Sequence, residues 1–99
     1  MQLFSACSTD PQVKKYDARI QAAKDLEAMN KEWNEYQAAK DTLDVKWKIS
    51  DSDPRSIDKA QAAKEAAETA AREKKDFEDA KETYQSSKDK ADEAAKEAK

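Results

Sequence analysis

Apolar positions along this chain recur at intervals of three and four residues in two long runs, separated by one polar break. In the first run, Val13, Tyr16, Ile20 and Ala23 keep a 3-4-3 rhythm. The rhythm then slips by three to Leu26 and continues through Met29, Trp33, Tyr36, Lys40, Leu43 and Trp47. Spacing of this kind lines side chains along one face of a helix. The second run reads Ile57, Ala60, Ala63, Ala67, Ala70, Lys74, Phe77, Ala80, Tyr84, Ser87, Ala91, Ala94 and Ala98, and only Ile57, Phe77 and Tyr84 in it are large. The break is Ser50-Asp51-Ser52-Asp53-Pro54, a cluster of turn formers closed by a proline that cannot continue a helix without losing a backbone hydrogen bond. The pattern predicts an all-α fold, a two-helix antiparallel hairpin of coiled-coil style. Helix one is expected at about 10–49, the turn at 50–53 and helix two at about 54–97, after a flexible N-terminal segment 1–9.

Start signals support those boundaries. Asp10-Pro11 offers a capping carboxylate followed by a proline at the first helical position, and Asp53-Pro54 repeats the pair. Ser56 is a rival cap that would make Ile57 the first residue of the second helix. Opposite charges at i,i+4 (Glu27 and Lys31, Asp44 and Lys48, Glu68 and Arg72, Asp92 and Lys96) favour helix by about 0.2 to 0.5 kcal/mol each.

Folding back at 50–53 sets a register. It places Trp47 against Ile57, Leu43 against Ala60, Tyr36 against Ala67 and Trp33 against Ala70. Farther from the turn come Met29 with Lys74, Leu26 with Phe77, Ile20 with Tyr84, Tyr16 with Ser87 and Val13 with Ala91. The expected interaction seam is therefore Val13, Tyr16, Ile20, Leu26, Met29, Trp33, Tyr36, Leu43, Trp47, Ile57, Phe77 and Tyr84. Aromatic residues of one helix would mostly face alanines of the other, which lets the backbones approach. A hairpin of two helices cannot enclose Trp33, Tyr36 and Trp47 on every side. Self-association, or docking on another helical protein, is the expected completion.

Composition then narrows the chemistry. The chain has 99 residues, no glycine, no histidine, two prolines and one cysteine, and 41% of it is charged. Without glycine there is no phosphate-cradling turn and little scope for tight hairpins between strands. Without histidine or a second cysteine the usual nucleophile–base pairs and zinc sets cannot be assembled. Neither catalytic, cofactor-binding nor metal-binding residues are assigned. Asp51, Asp53 and Asp58 are similar to a fragment of a calcium loop but lack its glycine and distal glutamate, and capping accounts for them. Nineteen basic residues against 22 acidic give a net charge of −3 with no basic stripe, so nucleic acid is not an expected partner.

The N-terminal segment carries a biological address. Leu3-Phe4-Ser5-Ala6-Cys7-Ser8 resembles the cleavage and acylation site of bacterial envelope lipoproteins, in which a small residue precedes a lipidated cysteine. Ser5, Ala6 and Cys7 match; Phe4 stands at the usual aliphatic position, and six residues precede Cys7. The resemblance implies lipidation at Cys7 and an envelope location if a signal segment lies upstream. As written, the chain reads as cytoplasmic and Cys7 as a free thiol. The helical remainder is similar in composition to small alanine-rich members of that group. Trp47-Lys48-Ile49 beside the central break also resembles the secreted helical hairpins of the Trp-X-Gly class, with Ile49 in the glycine's place and Lys88, not an acid, four residues after Tyr84.

The reading is a non-enzymatic structural or interaction protein that self-associates or docks on a helical partner. A different class fits the same residues: a small accessory protein or inhibitor, of phage or mobile-element kind, that binds one host protein.

Overall fold

A computed structural model describes residues 10–98 of the chain. Two helices, α1 (Pro11–Ser52) and α2 (Ile57–Glu97), pack against each other as an all-α hairpin, with no strand among the described residues. The N-terminal segment and Cys7 lie outside the described residues. Among those residues no helix is long and apolar enough to cross a membrane.

Both helix starts are capped by side chains. The Asp10 carboxylate accepts a hydrogen bond from the Gln12 amide at 2.9 Å, and the Ser56 hydroxyl accepts one from the Lys59 amide at 3.2 Å. Ser56, not Asp53, therefore caps the second helix, which begins at Ile57, three residues later than the expected 54. The first helix likewise runs three residues beyond 49. Ser50, Asp51 and Ser52 remain helical because the Ser52 hydroxyl donates back to the Ile49 carbonyl at 2.7 Å, and the Asp53 amide closes on the Ser50 carbonyl at 3.1 Å. The reversal falls on Asp53–Ser56, where the Ser56 amide donates to the Asp53 carbonyl at 3.0 Å. No described residue takes a positive φ, as a chain without glycine requires.

The contacts gather into two units. In the turn unit, Asn30–Asp79, the Trp33 ring lies 4.9 Å from that of Phe77 and 6.0 Å from that of Tyr36. Trp33 thus meets Phe77 and not Ala70, a partner one heptad farther along α2. The cause is the later reversal: lengthening the first helix and delaying the second moves every opposing pair away from the turn. Tyr36, Ala39 and Leu43 are half-buried on α1, and Ala66, Ala70, Glu73 and Phe77 line α2, where Ala70 is buried. Glu73 takes the inward place expected of Lys74, which is exposed.

The end unit comprises, among the described residues, 10–29 with 80–98. Here the Gln12 side chain donates to the Ala98 carbonyl at 3.1 Å, and the Ser87 hydroxyl hydrogen-bonds the Asp25 carboxylate. The half-buried residues of α1 are Lys15, Ala18, Ala22, Asp25 and Met29; those of α2 include Ala80, Tyr84 and Ala91, with Ser87 and Ala94 buried. This overturns the expected seam at its far end. Val13, Tyr16 and Ile20 are exposed, Ser87 takes Asp25 in place of Tyr16, and the two buried residues of this unit, Ser87 and Ala94, are small.

Candidate functional site

The surface most in need of explanation lies on α1. No residue of α1 is buried, and of the nine exposed large apolar side chains among the described residues eight belong to it: Val13, Tyr16, Ile20, Leu26, Trp33, Val45, Trp47 and Ile49. The ninth, Ile57, opens α2 and is 83% exposed. The expected seam therefore divides. Met29, Tyr36, Leu43, Phe77 and Tyr84 are half-buried, and Val13, Tyr16, Ile20, Leu26, Trp33, Trp47 and Ile57 are exposed.

Phase explains the division. The slip of three at Leu26 means that α1 carries two stripes that cannot face one direction together. Nine of the half-buried positions, Lys15, Ala18, Ala22, Asp25, Met29, Glu32, Tyr36, Ala39 and Leu43, follow a strict 3-4 alternation, continuing the phase of Met29, Tyr36 and Leu43 backwards, with Gln37 and Ser50 half-buried besides. The other phase, Val13, Tyr16 and Ile20, is turned to solvent. Tyr16 is partly covered by its own neighbours, with the Lys15 ammonium 5.2 Å and the Arg19 guanidinium 5.4 Å from the ring centroid.

In the turn unit Trp47, at 59% exposure, flanks the seam on one side. On the other side of α1 lies a stripe that the expected seam does not contain: Ala38, Thr42, Val45 and Ile49, spaced four, three and four, all exposed. A shallow depression of about 270 Å³ is framed by Asp41, Thr42, Val45 and Lys46 on two successive turns of this face. Its 4-3-4 spacing was available in the sequence, but Thr42 weakens the apolar signal, and the stripe overlaps the bulkier one that runs through Leu43 and Trp47.

The turn unit also gathers carboxylates. Oxygens of Glu32, Glu35 and Glu73 lie within 4.8 Å of one another, and one Glu73 oxygen is enclosed without a hydrogen-bond partner. Partial burial, then the charges of Glu35, Asp76 and Glu73, raise the pKa of Glu32 above the ordinary glutamate value, against a smaller opposing effect of Lys31. Such a group of acids repels itself at neutral pH. No sequence signal marks it, because it depends on the register that joins Glu73 to Glu32 and Glu35.

The helix-favouring ion pairs expected at i,i+4 are not closed. Among the described residues the ion pair is Lys59–Asp53, 3.2 Å across the turn and solvent-accessible on both sides. Exposed pairs gain little over hydration, and their side chains keep their freedom instead.

No protein-family profile, curated protein or solved structure matches the chain.

Proposed function

We propose that this chain is a non-enzymatic structural or interaction protein, a helical hairpin that acts by lending α1 to a larger helical assembly. The observation that carries the reading is the placement of apolar bulk. A helix with large apolar residues around its circumference is suited to a surrounded position, and α1 has one neighbour in the hairpin. The charged outer positions of α2, such as Glu68, Lys75, Glu82 and Asp89, suit the solvent side of such an assembly. The chain has no histidine to serve as a general base.

Thermal unfolding of the dilute chain, followed by circular dichroism, tests this. The expected result is a broad transition at low temperature, with fast amide exchange along both helices, because so little of α1 is enclosed. A sharp, cooperative transition of a dilute monomer with slow exchange in α1 would overturn the reading.

A further inference from the structure

We propose that the stripe Ala38, Thr42, Val45 and Ile49 is the contact through which α1 pairs antiparallel with α1 of a second copy of this chain. This rests on the reading of α1 as a helix awaiting cover, and names the cover.

Charge selects the occupant and, among antiparallel pairings, the register. Asp41 and Lys48 lie seven residues apart along the same edge of the stripe, both exposed, and neither is in an ion pair within the described structure. In an antiparallel pair with Thr42 opposite Val45 of the second copy, Ala38 falls opposite Ile49 of the second copy. All four layers are then apolar or small. In that register Asp41 meets Lys48 of the second copy, and two-fold symmetry makes the contact twice. Sliding one heptad either way brings Asp41 onto Asp41 or Lys48 onto Lys48, whereas a parallel pair sets Asp41 near Lys46 of the second copy. Among the antiparallel registers, one therefore satisfies the apolar layers and the charges together.

Shape agrees with it. The depression framed by Asp41, Thr42, Val45 and Lys46 is a recess between four side chains of one helix, the form that receives a side chain in helix packing. In the proposed register the side chain that reaches it is Val45 of the second copy. Val45, 56% exposed, thus both borders the recess and fills its counterpart, the self-complementarity that a two-fold contact demands. The stripe Val13, Tyr16, Ile20 and Ala23 does not offer this: the antiparallel register that layers its apolar residues sets Asp17 on Asp17 and Arg19 on Arg19.

Sedimentation equilibrium of the full chain over a wide concentration range provides the test, with helix content checked for each variant. The wild-type chain is expected to dimerise. Val45→Lys should weaken the dimer by about a hundredfold or more, since two apolar contacts per dimer are replaced by charge. Val45→Ala, a substitution to a better helix former, should preserve the fold and still weaken the dimer. Asp41→Lys should weaken it by about tenfold, and Asp41→Lys with Lys48→Asp should restore it. A wild-type monomer throughout the range would overturn the proposal. So would a dimer indifferent to Val45→Ala and Val45→Lys, or a double charge reversal that restores nothing. A monomer that is also poorly folded when dilute leaves α1 in need of some other cover; a monomer that melts sharply removes both readings.

Discussion

The two helices of this hairpin are nearly equal in length and opposite in character. Among the described residues α2 contributes all the buried ones, Ala70, Ser87 and Ala94, and they are small; α1 contributes none, and exposes eight large apolar side chains. Full burial among the described residues thus falls on small side chains. Ala70, Ser87 and Ala94 on α2 are covered by the neighbouring helix, whereas eight large apolar residues of α1 lie exposed and, of its bulky apolar residues, only Met29, Tyr36 and Leu43 share its packed stripe. Apolar content alone does not identify the face that packs; the ability to let two backbones approach matters more.

The difference makes the helices unequal targets. The largest effect is expected at Ala70, 6% exposed: Ala70→Asp should cost about 3 kcal/mol or more, because it places an unpaired carboxylate in the seam. Trp47→Ala on α1, although a far larger truncation, should change the stability of the dilute chain by no more than about 0.5 kcal/mol. Paired denaturant titrations check both, and equal effects would end the contrast. An intermediate loss, about 1 to 2 kcal/mol, is expected for Trp33→Ala, which removes the ring contact with Phe77 from a residue only partly covered. An unchanged midpoint would show that α1 contributes no aromatic anchoring even there.

The smallest expected effect is a pH dependence. The pKa of Glu32 is higher in the folded chain than in the unfolded one, so the folded state binds the proton more tightly. Stability contributed by this group is present below the ordinary glutamate pKa and is lost as pH rises through the raised folded value. Between those two values the melting temperature should therefore rise on acidification, the reverse of the usual acid response. Glu32→Gln should raise the melting temperature at neutral pH and flatten the profile. A melting temperature that falls for wild type across the same window, with Glu32→Gln indistinguishable from it, would remove the carboxylate repulsion as a factor.

Much of the architecture was legible in the residues, and the misses have physical causes. The hairpin follows from two helical rhythms and one polar break, and the inner face of α2 from Phe77 to Ala98 follows from spacing, since one phase alone is consistent there. The α1 face was misread because two phases compete across the slip at Leu26. Weight of apolar residues favours Val13, Tyr16 and Ile20, while packing follows Ala18 and Ala22. Register was misread because Ser50-Asp51-Ser52 are turn formers by composition and helix by hydrogen bonding. The recess bordered by Val45 lay outside the expected seam for the first reason, and the carboxylate group of Glu32, Glu35 and Glu73 for the second.

The Ser56 cap has a reach beyond its own turn. Where a link is this short, the first hydrogen bond of the second helix works like the tooth of a gear, fixing which rung of one arm engages which rung of the other. Trading that hydroxyl for a methyl would free Pro54 or Asp53 to begin the helix instead, and the mesh would advance. Trp33 would then lose Phe77 and meet residues nearer the fold point, although nothing had been altered at either aromatic ring.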